Sequence, residues 1–268
     1  MLALAASGTI LAGCDKDDDI RVDQTIENAF RNQYPDATRV EWEKKAGYYV
    51  ADFWTDNTEA EAWYSPQAVW YMTETDVRYD NLPPAVKEAY QAGEYADNWR
   101  IDDIDKLECL DLDPVYIIDV EQGDTEYDLY YSPEGIFIKA VADGNGSGHL
   151  PSTVLPAVKE FIAEKYPEAR IVDIEQEHNR IEADIIDGRT PREVVFSSAG
   201  EWECTRTEVR QADVPAVVLD ARKASEYGSW QIDDIDHYLT PDAEYYLFEL
   251  ESGNREVHLK IDLDGNIL

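Results

Sequence analysis

Gln33-Tyr34-Pro35-Asp36-Ala37 returns as Lys165-Tyr166-Pro167-Glu168-Ala169, and Trp99-Arg100-Ile101-Asp102-Asp103-Ile104-Asp105 returns as Trp230-Gln231-Ile232-Asp233-Asp234-Ile235-Asp236. Both pairs are offset by 131 to 132 residues. Two unrelated motifs at one offset mark a duplication, and such a period sets the architecture before any single segment is interpreted. Leu82-Pro83-Pro84-Ala85-Val86 returns in weaker form as Val214-Pro215-Ala216-Val217-Val218. Each half divides again. Ala62-Trp63-Tyr64-Ser65-Pro66-Gln67-Ala68-Val69-Trp70 resembles the stretches at 129–137, 194–202 and 259–267. The chain therefore reads as four units, at 22–77, 80–142, 149–210 and 212–268.

Within a unit a helix precedes strands. Ile26, Ala29, Phe30 and Tyr34 fall at helical spacing before Pro35, as do Val154, Val158, Phe161, Ile162 and Tyr166 before Pro167. Proline just past the last turn stops a helix. Val40-Glu41-Trp42-Glu43 and Tyr49-Val50-Ala51-Asp52-Phe53-Trp54 then alternate in the manner of half-buried strands. Ser65-Pro66-Gln67, and the Ala-Gly and Asp-Gly steps at its counterparts, supply turn chemistry for the last hairpin. Helices followed by runs of antiparallel strands predict an α+β fold with helices packed on one sheet face. Residues 143–148, Asp143-Gly144-Asn145-Gly146-Ser147-Gly148, read as a flexible linker between two domains, 22–142 and 149–268.

The N-terminus carries an address. Leu11-Ala12-Gly13-Cys14 closes a short apolar run and has the form of a lipobox, which predicts cleavage before Cys14 and lipidation of its thiol. The run is far shorter than the ~20 apolar residues a spanning helix requires. A positively charged n-region is missing, so the translation start is left open. Asp15-Lys16-Asp17-Asp18-Asp19 follows at once and resembles the acidic export tag of Bacteroidetes surface lipoproteins, with an ordinary solvated linker as the alternative. Residues 1–21 are thus a signal peptide and acidic tether, and the expected location is the outer membrane, lipid-anchored and surface-exposed, with the periplasmic face as the alternative.

The net charge is −35, from 58 acidic and 23 basic residues. That balance argues against nucleic acid, because phosphate binding needs clustered Lys and Arg. Besides Cys14 only Cys109 and Cys204 remain, and their pairing is left open. With 17 Tyr and 7 Trp, the chain has ample material for a core.

A helix ending in Tyr-Pro-x-Ala is followed by a Val-x-Trp strand, a Tyr-Val-Ala-Asp-Phe strand, a Ser-Pro-x-Gly hairpin and the Trp-x-Ile-Asp-Asp-Ile-Asp element. Together these resemble the PepSY-like, beta-lactamase-inhibitor-like domains of exported Bacteroidetes proteins, over about 22–268. The resemblance implies α+β units with helices against an antiparallel sheet and no established enzyme activity. It suggests inhibition by analogy, and fold alone does not imply function.

No residue pattern calls for a catalyst, a cofactor or a metal. The Ile-Asp-Asp-Ile-Asp segments lack EF-hand spacing and read as extended segments with Ile inward and Asp outward. His149, His178, His237 and His258 lack zinc-site spacing, and Ser197-Ser198-Ala199-Gly200 is a hairpin turn rather than a nucleophile elbow. Aromatic residues on strands offer the best binding surface. If helices cover one sheet face, the other meets solvent, and Trp54, Trp63, Trp70, Tyr131, Trp202 and Tyr245 are the candidate platform. Of Tyr130 and Tyr131, one should point outward. The expected function is a non-catalytic envelope lipoprotein that binds or inhibits a protein or peptide through its sheet faces. A carbohydrate- or small-ligand-binding accessory lipoprotein is the alternative.

Overall fold

The computed structural model describes residues 20–142 and 149–268. The lipobox with Cys14, most of the acidic tether and the glycine-rich linker at 143–148 lie outside the described residues. No helix among the described residues is long and apolar enough to cross a membrane.

The first unit comprises α1 (Gln24–Gln33), β1 (Thr38–Lys45), β2 (Tyr48–Thr55), β3 (Thr58–Tyr64) and β4 (Trp70–Asp76). The second comprises α2 (Pro84–Ala92), β5 (Arg100–Cys109), β6 (Val115–Gln122), β7 (Thr125–Tyr131) and β8 (Phe137–Ala142). The third has α3 (Pro156–Lys165), β9 (Arg170–Glu177), β10 (Arg180–Asp187), β11 (Thr190–Ser197) and β12 (Trp202–Glu208). The fourth has α4 (Ala216–Ala224), β13 (Gln231–Leu239), β14 (Glu244–Ser252) and β15 (Arg255–Asp262). Strands β1 to β8 form one antiparallel sheet in sequence order, and β9 to β15 form a second. The α+β expectation is corrected in its proportions: the helices are one-sided struts of nine or ten residues, and the molecule is mostly sheet. Helices this short are marginal alone and depend on packing.

Local chemistry explains each element. Asp23 caps α1 by accepting from the Thr25 amide at 2.8 Å, which satisfies one of the orphan donors of the first turn. Pro84 and Pro156 open α2 and α3, where a missing N–H costs nothing. In the hairpins, Ser65 Oγ accepts from Gln67 and Val69 amides, Ser197 Oγ from Ala199 and Glu201, and Asp262 Oδ1 from Asp264 and Asn266. Ser132 Oγ does the same for Ile136. The left-handed position that follows is Ala68, Gly135, Gly200 and Gly265 in the four units.

Residues directly opposite on paired strands share a face, so the registers carry one face across each sheet. On the helix side α1 sets Ile26 and Phe30 against Ala51, Phe53, Ala62 and Tyr64. α2 sets Val86 and Tyr90 against Ile118, Val120, Leu129 and Tyr131. α3 and α4 repeat the arrangement on the second sheet with Val158, Ile162 and Val218. A polar triad also repeats at the 132-residue offset. Tyr34 hydroxyl and Trp70 Nε1 meet Thr73 Oγ1 at 2.6 and 2.8 Å, and Tyr166 hydroxyl and Trp202 Nε1 donate to Thr205 Oγ1 at 3.0 and 3.2 Å.

The opposite face of the first sheet is not simply solvent-exposed. Val50, Trp63, Met72, Leu107, Ile117 and Tyr130 form a second core there, completed by Val172 and Ile186 of the second sheet. A register shift in the β9–β10 pairing, between Asp184 and Ile185, accompanies the inward turn of Val172. Polar contacts bind the same seam. Asp113 amide donates to Ile171 carbonyl at 2.9 Å, and Arg170 bridges Asp113 and Glu134 at 3.0 and 3.1 Å.

Candidate functional site

The six aromatic candidates divide three ways. Trp63 and Tyr131 are 3% and 2% exposed and belong to the cores on opposite faces of the first sheet. They are corrected from platform to packing: Tyr131 lies under α2, and Trp63 lies under the seam with the second sheet. Tyr130 does point away from Tyr131, but the seam buries it too, and its hydroxyl meets His149 Nε2 at 3.0 Å. Trp70 and Trp202 are half-buried on the helix side, tied down by the threonine triads, and Trp202 stacks on Phe161 at 5.2 Å. Trp54 and Tyr245 remain on the non-helical faces.

Tyr245 is part of a surface. β13 and β14 pair Tyr238 with Tyr245, whose rings stack at 5.2 Å with 7° between planes. Lys260 lies 5.2 Å over the Tyr245 ring, a cation–π contact. Arg206 pairs with Tyr238 across β12 and β13 and reaches Glu193 at 3.3 Å and Asp236 at 3.6 Å. Burial pushes the Tyr238 hydroxyl up to about 12, with Asp236 adding to it. Asp236 itself is buried and held up to about 6, chiefly by desolvation, with Arg206 pulling the other way. Here the Asp-outward reading of the Ile-Asp-Asp-Ile-Asp segment is corrected. Asp102, Asp103 and Asp233 are exposed, but Asp236 is turned into the sheet face.

Beside this patch sits a charge centre that the sequence reading missed. Lys139 on β8 is inserted between the sheets, with its ammonium 2.7 Å from Asp173 and 2.9 Å from Asp184, bonded to Glu175, and 4.9 Å over the Tyr130 ring. The signal was a single lysine inside the apolar run Phe137-Ile138-Lys139-Ala140-Val141. A corresponding acidic group, Glu43, Asp52 and Glu61, lies on the first sheet with Lys45 at 2.7 and 2.9 Å from Glu43 and Glu61. Burial, with Glu61 and Glu43 beside it, pushes the Asp52 carboxyl up to about 7. A third group joins Glu249 and Glu256 to His258. The first two groups thus each already hold a lysine ammonium. Asp105 is driven to about 8 by burial, with Glu74, Asp103 and Asp76 adding to it. Cys109 and Cys204 are both free thiols. Burial raises both, Cys109 to about 12, so neither has the thiolate character of a nucleophile.

The model of the beta-lactamase-inhibitor-like, PepSY-like family matches residues 47–139, 145–190 and 179–268. The chain belongs to this PepSY-like family. Among solved structures, a BLIP-like protein of Bacteroides fragilis is 38% identical, matched over 100% of its length by 51% of this chain, with a TM-score of 0.48. A DUF2874 family protein of Bacteroides ovatus is 31% identical over 89% of its length and 46% of this chain, with a TM-score of 0.43. A protein of Bacteroides eggerthii described as periplasmic is 26% identical over 89% of its length and 46% of this chain, with a TM-score of 0.42. No curated protein matches the chain. Each of these relatives is matched by about half of this PepSY-like protein.

Proposed function

We propose that this PepSY-like protein is a non-catalytic binding protein of the cell envelope, anchored through Cys14 to the outer membrane, that holds a protein or peptide partner on the non-helical face of its second sheet. The observation that carries the reading is the stacked Tyr238–Tyr245 pair, flanked by Lys260 and Arg206, on the sheet face away from α3 and α4. Paired tyrosines supply large contact area at low entropic cost, and tyrosine and arginine dominate binding hot spots.

The test is capture from native envelope and secreted fractions on immobilised protein lacking residues 1–19, run beside a Tyr238→Ala/Tyr245→Ala variant. A saturable protein partner retained by the wild type and lost by the variant is the expected result. Retention of the same proteins by both, or retention of glycans and no protein, would refute the reading.

A further inference from the structure

His149 opens the third unit, and the segment 149–155 runs without helix or strand to α3. The far end of that segment is fixed, because Val154 and Leu155 pack in the core under α3. At the near end the chain stays in solvent, with Leu150 62% exposed, while the His149 imidazole reaches onto the non-helical face of the first sheet. Four strands build the pocket that receives it. Register sets Asp76 opposite Asp105, Asp105 opposite Ile117, and Ile117 opposite Tyr130 across β4 to β7. Glu74 and Asp128 stand two residues along β4 and β7, and so on the same face. Nε2 lies 3.0 Å from the Tyr130 hydroxyl. Nδ1 is buried 3.6 Å from Glu74 Oε2, beyond hydrogen-bond length, and no group among the described residues bonds it.

This geometry makes the charge of the ring the deciding factor. A neutral imidazole keeps its bond to Tyr130 but leaves a buried nitrogen unsatisfied, at the full desolvation cost of that group. An imidazolium is drawn by Glu74, Asp128 and Asp105 without close contact, and charges this far from bulk water are weakly screened. Burial alone would lower the imidazole, but Glu74, Asp128 and Asp105 outweigh it and hold it above its ordinary value of 6.5. Asp103 and Asp76 crowd Asp105 from behind, and Asp105, pushed up to about 8 chiefly by burial, ionises in a neighbouring range and strengthens the hold. On the other side of the pocket Lys139 sits over the Tyr130 ring, already committed to Asp173, Asp184 and Glu175.

We propose that His149 is a pH-operated latch: as the imidazolium it clamps the segment 149–153 to the first sheet, and on losing its proton it releases that segment while both sheets stay folded. The seated state binds the proton more tightly than the released one. The hold is therefore complete below the ordinary histidine value and is lost as pH rises through the seated one. The sheets stay joined throughout, because the Val172–Ile186 closure and the Lys139 contacts do not involve His149. The latch is separate from the Tyr238–Tyr245 face and does not rest on the binding reading.

The test is a carbon-detected NMR titration of protein comprising residues 20–268, from about pH 5 to about pH 9.5, which reads the His149 ring and the backbone of Leu150, Ser152 and Thr153 in one sample. The expected result is an imidazole midpoint above the ordinary histidine value. The backbone carbons of those three residues should move to unstructured positions at the same midpoint, while the signals of β4 and β7 stay in place. Glu74→Gln should weaken proton binding at His149 by about tenfold and carry the backbone transition down with it. His149→Gln, which cannot titrate, should leave the segment's shifts independent of pH. The proposal is overturned if the imidazole titrates at or below its ordinary value, or if Glu74→Gln leaves the midpoint unchanged. It is overturned equally if the backbone of 150–153 ignores the imidazole transition, or if that backbone titrates in His149→Gln as it does in the wild type.

Discussion

Replacing Lys139 by methionine should separate the two sheets energetically. The methionine retains most of the stem volume but removes the charge. Lys139 and Asp173 each keep 19% of side-chain exposure and Asp184 keeps 16%, so the loss leaves two poorly solvated carboxylates, with Glu175 beside them, facing one another. Breaking one side of a buried ion pair costs about 3–5 kcal/mol. The partial exposure here, and greater exposure of Glu175, move the expectation to the low end, about 3 kcal/mol. For a chain of this size that corresponds to a drop of roughly 6–12 °C in melting temperature. The sign of the pH dependence follows from the groups involved. Burial already raises the Asp184 carboxyl even with the lysine present. Without it the folded-state carboxyls rise further and bind protons that the unfolded chain releases, so the variant loses stability as pH increases. Denaturant unfolding of wild type and Lys139→Met at pH 4.5 and pH 8 provides the assay. The cost should be largest at pH 8 and shrink at pH 4.5, and adding Asp184→Asn should recover more than about 1 kcal/mol at pH 8. An equal cost at both pH values, or no recovery from Asp184→Asn, would refute the reasoning.

Three further outcomes follow from the packing. Gly135 holds φ +76, and a Cβ there would lie 2.3 Å from the Ala85 carbonyl oxygen of α2, whereas Gly123 holds φ +67 with nothing within 4 Å; chemical denaturation should show Gly123→Ala costing about 1 kcal/mol and Gly135→Ala on the order of 3 kcal/mol. Thr73→Val and Thr205→Val each strand a tryptophan donor and take away the partner of a tyrosine hydroxyl, so each should cost about 1–2 kcal/mol, and the double variant should be additive because the sites lie on different sheets. Asp105, held up to about 8 against an ordinary value near 3.8, contributes stability that is complete below pH 4 and lost as pH rises through 8; Asp105→Asn should therefore melt like wild type at pH 4 but gain on the order of 2 kcal/mol at pH 8.

Much of the architecture was written in local chemistry. The Tyr-Pro step ends α1 and α3, and serine, aspartate and glycine mark the four hairpins in the order the structure uses them. The family resemblance rested on these same motifs. The closure of the first sheet's second face was harder to see, because it depends on residues of two different sheets that lie dozens of positions apart in the chain. A trace of it was present. β2 reads Tyr48-Tyr49-Val50-Ala51-Asp52-Phe53, with apolar residues in both alternating sets, and β6 reads Val115-Tyr116-Ile117-Ile118. Strands apolar on both sides are buried on both sides. That pattern explains why Trp63 and Tyr130 are core rather than platform. Nothing local marked Val172 as the residue that seals them, because its inward turn depends on the irregular β9–β10 pairing. The acidic groups were hidden for a different reason: with 58 acids in the chain, only strand register shows which carboxylates stand side by side.

The account rests on the seam between the sheets being closed while the Tyr238–Tyr245 part of the second sheet stays accessible, and oxidative footprinting of residues 20–268 in solution measures this directly. Half-buried Tyr245 should label under native conditions, and Tyr238 more slowly, while Trp63 and Tyr130 stay protected until the chain unfolds. Labelling of Trp63 and Tyr130 as fast as Tyr245 under native conditions would show that the sheets do not close on one another and would contradict the account.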